Sequence, residues 1–260
     1  MKISNKVLAF ITLATLVLSF AINAFATHDS YCWYIKRNAN KRPIIQKEQT
    51  LIYNYDGYFI DKKLTDDSEK KVLYLTFDLG YENGNTAKIL NTLKKEKIPA
   101  AFFILDNIIL KNPDLVTRME NEGHLICNHT KNHKDLTKLS EDQIIKNITD
   151  LEKLYEEKTG NTLAKYFRFP EGKYNEKALS IVQKLGYKTI FWSFAYEDWN
   201  NKRQPNSKRA IKKILDNTHN GAVILLHPTS ETNATILPFV ISEWRNMGYT
   251  FGTLDELCYE

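Results

Sequence analysis

The chain has 260 residues, with 36 Lys and Arg against 31 Asp and Glu and a formal net charge of +5. So small an excess gives no footing to a nucleic-acid partner, though it is compatible with an anionic polymer such as a cell wall. Three cysteines without a C-x-x-C spacing exclude a cysteine-built zinc site, and there is no Gly-x-Ser-x-Gly elbow to support a serine hydrolase.

The chain opens with an export pattern. Lys2 and Lys6 give a basic start, Val7 to Phe20 is an apolar run broken only by Thr12, Thr15 and Ser19, and Ala24-Phe25-Ala26 is a small-x-small cleavage site. The run falls short of the roughly 20 apolar residues a spanning helix needs. Residues 1–26 therefore read as a secretory signal peptide, with an uncleaved anchor as the alternative. Without them 234 residues remain, and because they carry two Lys and no acid the net charge becomes +3. That length with no second apolar stretch predicts an exported, soluble chain with a substantial core, not held in the membrane once the signal is cut. Three thiols cannot all pair within it. A Cys32–Cys258 bridge between the chain ends is open, whereas Cys127 falls in a buried strand and behaves as a small apolar residue. Asn147 and Asn233 head Asn-x-Thr sequons, which matter only in a eukaryotic secretory route.

Residues 27–70 are polar and aromatic-rich, with Pro43, Gly57 and the cluster Asp66-Asp67-Ser68-Glu69. They are expected to form an N-terminal extension packed on the main domain through Tyr53, Tyr55, Tyr58 and Phe59. Residues 71–260 then alternate. Strand-like runs cover 72–77, 100–105, 125–128, 166–169, 189–195, 222–227 and 250–254. Helix-like stretches cover 86–95, 113–122, 140–158, 176–185, 207–217 and 234–247. Ser140 with Gln143 is a capping box and Gly160 a stop, with Ile144, Ile145, Ile148, Leu151 and Leu154 at helical spacing between them. Such alternation predicts an α/β fold, a distorted (β/α) barrel of about seven parallel strands.

Polar groups fall at the ends of those strands, where parallel α/β folds build their sites. Asp78 stands before Gly80 and Gly84; alone, it could equally cap the next helix. His129 and His133 are four apart and would face the same way as metal ligands if the segment turns helically, or they are two loop histidines. His124 has no such partner and reads as structural. Arg168 lies among aromatics before Pro170, where an unpaired guanidinium would be costly, so it calls for a carboxylate. Asp198 and Trp199 follow one strand and His227 ends another. Two Asp, one Arg and three His at strand ends in an apolar framework are the equipment of metal-assisted hydrolysis: imidazoles for a cation, a carboxylate base and a histidine acid.

The ordered segments Thr76-Phe77-Asp78-Leu79-Gly80, His129-Thr130-Lys131-Asn132-His133, Arg168-Phe169-Pro170-Glu171-Gly172, Asp198-Trp199 and Leu226-His227 resemble the polysaccharide deacetylases of the NodB-homology type, carbohydrate esterase family 4. The run through Gly80-Tyr81-Glu82-Asn83-Gly84, with Asp56-Gly57-Tyr58, Phe191-Trp192-Ser193 and Gly248-Tyr249, is similar to the branch that de-N-acetylates N-acetylmuramic acid on the way to the muramic delta-lactam of spore cortex. The resemblance implies Asp78 as general base, paired with Arg168. It implies a divalent metal such as zinc on His129 and His133, and His227 as the acid supported by Asp198. Trp199 and Leu225 would shape the acetyl pocket, with Tyr81, Glu82 and Pro170 also at the substrate. The family's usual second aspartate is Leu79 here, which cannot coordinate, so the metal is expected to be held weakly unless water, substrate or Glu82 completes its shell. The implied partner is a peptidoglycan glycan strand, outside the cytoplasm, after an N-acetylmuramoyl-L-alanine amidase has removed the peptides. Two alternatives stay open. One is deacetylation of N-acetylglucosamine in peptidoglycan or chitin, or of acetylxylan; the other is a carbohydrate-binding pseudoenzyme.

Overall fold

The structure, a computed structural model, describes residues 30–39 and 41–259, so the expected signal peptide lies outside the described residues. Its strands in chain order are β1 (Tyr31–Cys32), β2 (Lys36–Asn38), β3 (Lys41–Ile44), β4 (Gly57–Tyr58), β5 (Val72–Leu79), β6 (Ala101–Ile104), β7 (Leu125–Asn128), β8 (Ala164–Phe167), β9 (Lys173–Tyr174), β10 (Lys188–Ile190), β11 (Ala222–Leu226) and β12 (Thr250–Phe251). The α-helices are α1 (Thr86–Glu96), α2 (Asp106–Lys111), α3 (Pro113–Asn121), α4 (Glu141–Thr159), α5 (Glu176–Lys184), α6 (Ser207–Leu215), α7 (Glu231–Asn246) and α8 (Leu254–Tyr259). Among the described residues no helix is long and apolar enough to cross a membrane.

Alternation along β5 divides the core. Val72 and Tyr74 face the barrel interior with Phe103, Cys127, Tyr166, Ile190 and Val223. Leu73, Leu75, Phe77 and Leu79 face the helices, in the layer of Ile89, Leu90 and Trp244. Burial on both faces is why this strand reads as nearly continuous apolar sequence. The sheet runs β11–β5–β6–β7–β8–β10–β4, with β12 also on β5 and every pair parallel. Single bridges from Phe194 to Ile224 and from Ile60 to Ala222 draw its two edges together. The expected distorted barrel of about seven parallel strands is thus formed, curled rather than regular; β4, from the N-terminal extension, takes a place in it that was not expected, and β12, expected as its last strand, is a short one paired with β5 alone.

Local differences from the sequence reading have physical causes. The run 189–195 pairs in the ladder only as β10. Beyond it Ser193 spends its hydroxyl on His219 Nε2 at 2.8 Å and on the Val223 N–H at 3.2 Å, which breaks the strand at the seam. The last strand stops at Phe251. Gly252 lets the backbone run so close that a Cβ would meet Tyr74 at 2.7 Å, and Thr253 with Glu256 then forms a capping box that starts α8. Helix α7 begins at Glu231, capped by Ser230, and α2 was not anticipated. The Ser140–Gln143 box and the Gly160 stop of α4 are both present. Cys32 and Cys258 do not pair: all three cysteines are free, the Cys32 thiol resting 3.9 Å from the Glu171 carbonyl while Cys258 packs beside the barrel interior. Asn233 is buried, which closes its sequon to glycosylation.

The segment before β5 braces the barrel. Trp33 stacks on Phe191 with ring centroids 4.5 Å apart and donates from Nε1 to the Trp192 carbonyl at 2.9 Å. Tyr53 stacks on the buried Phe59, and β4 enters the main sheet beside β10.

Candidate active site

The carboxyl ends of β5, β7, β8 and β11 meet at one mouth of the barrel. Asp78 sits on the interior face one residue before the end of β5, and Arg168 Nη1 donates to its Oδ1 at 2.8 Å. Arg168, just past β8, is wholly buried. Its Nε donates to Ile190 O at 2.9 Å and its Nη2 to Thr76 Oγ1 at 2.8 Å, while the Phe103 ring lies 4.1 Å from Cζ. A guanidinium held on every side fixes the direction of the carboxylate it binds. Burial alone would raise the Asp78 pKa; Arg168, then His129 and His227, outweigh it and hold the carboxyl below its usual range.

His129 follows β7. Its Nδ1 lies 2.9 Å from the Arg168 carbonyl, which can only accept, so Nδ1 carries the proton and Nε2 keeps its lone pair. Burial pushes this ring down to about 4, leaving it neutral. Nε2 faces Asp78 Oδ2 at 3.6 Å, two acceptors opposed, an arrangement that a cation relieves. The loop to His133 is not the helical turn expected. Thr130 and His133 take φ of 71° and 58°, held as Asn128 Oδ1 accepts the Thr130 N–H at 2.9 Å and Thr130 Oγ1 accepts the His133 N–H at 3.0 Å. Those left-handed residues, rather than helical spacing, bring the two rings edge to face at 4.9 Å. Burial lowers His133 as well.

This donor set fits a divalent cation, with two neutral imidazoles and a nearby carboxylate. Among the described residues no group of three or more His, Cys, Asp or Glu is gathered so as to hold a metal ion by itself. Leu79 is wholly buried on the helix-facing side, away from Asp78. Glu82 does not join the imidazoles: one of its oxygens accepts the Gly84 N–H of its own turn and the other is buried without a partner.

Across the mouth, His227 follows β11 on the same face as Val223 and Leu225. Asp198 Oδ1 lies 2.7 Å from His227 Nδ1 and Oδ2 accepts the His227 backbone N–H at 2.9 Å. Burial alone would lower the His227 pKa; Asp198, and then Asp78, outweigh it, and the imidazole is raised above its ordinary value. Nε2 is left free. Trp199, 55% exposed, stands edge-on to the His227 ring at 5.8 Å, and Leu225 is buried. Tyr81 is exposed at the rim, its hydroxyl accepting from Asn201. Pro170 is buried at the start of a one-turn 3-10 helix.

Three contributors escaped the sequence reading. Thr76 lies two residues before Asp78 on the same strand face, so alternation could have found it. Asn128 orients the histidine loop and Asn233 binds Asp198; nothing local marks either.

A sequence profile of the polysaccharide deacetylase family matches residues 65–190. The chain is 37% identical over 230 residues to the peptidoglycan-N-acetylmuramic acid deacetylase PdaA of Bacillus subtilis, covering 88% of this chain and 86% of that one. It is 34% identical over 191 residues to the peptidoglycan-N-acetylglucosamine deacetylase PgdA of Listeria monocytogenes, covering 72% of this chain and 39% of that one. The solved structure of Bacillus subtilis PdaA, a family 4 carbohydrate esterase, superposes with a TM-score of 0.82 at 35% identity, covering 89% of this chain and 98% of that one.

Proposed function

The chain belongs to the polysaccharide deacetylase family, hydrolases of N-acetyl amides, and from that premise we propose that it deacetylates N-acetylmuramic acid residues of peptidoglycan outside the cytoplasm. One observation carries the chemistry: Arg168 Nη1 pairs with Asp78 Oδ1 at 2.8 Å and Asp198 Oδ1 with His227 Nδ1 at 2.7 Å, pairings that hold the Asp78 carboxyl below its usual range and the His227 imidazole above its own. That split assigns a base and an acid at neutral pH.

Asp78, aimed by Arg168, takes a proton from water as the oxygen attacks the acetyl carbonyl carbon. His227, protonated and aligned by Asp198, delivers a proton from Nε2 to the amide nitrogen. The C–N bond then breaks, releasing acetate and the free amine. His129 and His133 would hold a divalent cation, which would supply Lewis acidity to the reaction. Leu225 and Trp199 offer an apolar wall to the acetyl methyl, and Tyr81 with Glu82 and Pro170 borders the glycan. In this reading residues 1–26 direct export, residues 27–70 are an extension packed on the main domain, and residues 71–260 are the catalytic unit.

The muramic reading is supported by the extended likeness to PdaA, which takes in the N-terminal extension. Condensation of the freed amine with the lactyl carboxyl, with loss of water, would give the delta-lactam of spore cortex, after an amidase has cleared the peptide. The likeness to PgdA favours N-acetylglucosamine as the second reading. Incubation with peptide-stripped glycan strands, with and without divalent metal, followed by acetate assay and muropeptide masses, separates the two. Deacetylated muramic acid is expected; acetate from glucosamine alone leaves the second reading, and none at all overturns both.

A further inference from the structure

Asn233, in the first turn of α7, is 1% exposed, and its carboxamide binds three polar groups around it. Nδ2 donates to Asp198 Oδ2 at 2.6 Å and to the His227 carbonyl at 3.2 Å. Oδ1 accepts from the Tyr196 hydroxyl. Only one orientation of the amide satisfies this set. The flipped one would turn Oδ1 towards the Asp198 carboxylate and the His227 carbonyl, acceptors against an acceptor. Tyr196 is itself buried; burial first, and then the charge of Asp198, raise its pKa, so its hydroxyl stays a donor. The Asn233 backbone is fixed too, its N–H donating to Ser230 Oγ at 3.1 Å.

The order of dependence runs outward to the mouth. Tyr196 orients the Asn233 amide, and Asn233 with the His227 N–H saturates Asp198 Oδ2. Oδ1 is then the oxygen presented to His227 Nδ1. Rotating the carboxylate away would leave one N–H of the buried Asn233 amide without its Asp198 acceptor.

We propose that Asn233 is a positioning residue for the deacetylation, clamping Asp198 so that His227 is held with Nε2 towards the leaving nitrogen. This rests on His227 as the acid, so the test reads the contact as well as the activity. Asn233→Ala and the volume-preserving Tyr196→Phe are compared with the wild-type chain in two ways. One is acetate release from peptide-stripped glycan strands; the other is the NMR resonance of the His227 Nδ1–H, identified by its loss in His227→Gln.

In Asn233→Ala kcat is expected to fall by about 10- to 100-fold, a fraction of what an acid contributes, with KM within about twofold. Tyr196→Phe should show a smaller loss. In both, the strongly downfield Nδ1–H resonance should move upfield or broaden while the circular dichroism is unchanged. If Asn233→Ala fails to fold, Tyr196→Phe decides alone. An unmoved resonance in folded Tyr196→Phe overturns the proposal, whether or not activity falls. A wild-type protein that shows the resonance but releases no acetate overturns the enzymatic reading instead.

Discussion

Arg168 Nη1 and Asp78 Oδ1 stand 2.8 Å apart, with the guanidinium wholly enclosed. In the proposed mechanism the pair serves stability and chemistry at once. Arg168→Ala leaves a carboxylate without its counter-charge in the barrel and should cost about 3–5 kcal/mol, read as a fall in denaturant midpoint. Asp78→Asn keeps the shape and should retain most of the stability while losing at least about 100-fold in acetate release. Near-wild-type turnover in Asp78→Asn would remove it as the base.

With His227 as the proposed acid, the pH dependence of activity is expected to follow the raised imidazole. Its protonated form persists above the ordinary histidine value of about 6.5 and is lost as pH rises through the folded value. Asp78, held low, stays deprotonated through the same range. The alkaline limb of kcat/KM should accordingly lie above pH 6.5 and move to lower pH in Asp198→Asn, which removes the charge that raises the imidazole. The raised pKa also stabilises the fold below about pH 6.5, a contribution lost as pH rises through the folded value. A limb unmoved by Asp198→Asn would assign the titration to another group.

Acid stability is governed by different histidines. Burial holds both His129 and His219 down to about 4, whereas the unfolded chain takes up its protons near 6.5. In the metal-free protein the contribution of these two groups is therefore greatest above about pH 6.5 and should be lost as pH falls from there to about 4, opposite in sign to that of His227. Urea midpoints across that window test this. His219→Asn should make the slope shallower without touching the mouth of the barrel.

With two imidazoles and, among the described residues, no group of three or more donors that would hold a metal ion by itself, chelation should act without unfolding the chain. Prolonged dialysis against EDTA is expected to abolish acetate release and leave the circular dichroism unchanged, with recovery on adding a divalent metal. His133→Ala should raise the metal concentration needed for half recovery. Full activity after chelation would exclude a metal role for His129 and His133.

The N-terminal segment should matter well beyond its length. Trp33→Ala removes the ring stacked on Phe191 and the bond to Trp192, and should cost about 3–5 kcal/mol. Gly172 has φ 66°, and a Cβ there would lie 2.9 Å from both Trp33 and Trp192. Gly172→Ala should therefore disturb the loop after Arg168, lowering both midpoint and activity. A Trp33→Ala midpoint equal to wild type would show that the segment rests on the barrel without bracing it.

The sequence by itself determined whatever repeats over a few residues. Strand–helix alternation gave the barrel class, the Ser140–Gln143 box and Gly160 bounded α4, and the both-faced apolar run of β5 marked a buried parallel strand. It also determined that position 79 carries no carboxylate. Tertiary structure decided the partnerships, because hydrogen-bonding reach ignores chain distance. Arg168 meets Asp78 from 90 residues away, and Asn233 meets Asp198 from 35. It decided that Leu79 faces the helices, and that left-handed Thr130 and His133 join the two imidazoles. Gly252 ended the last strand for the same kind of reason: the backbone there had to pass close to Tyr74, a contact that no local pattern records.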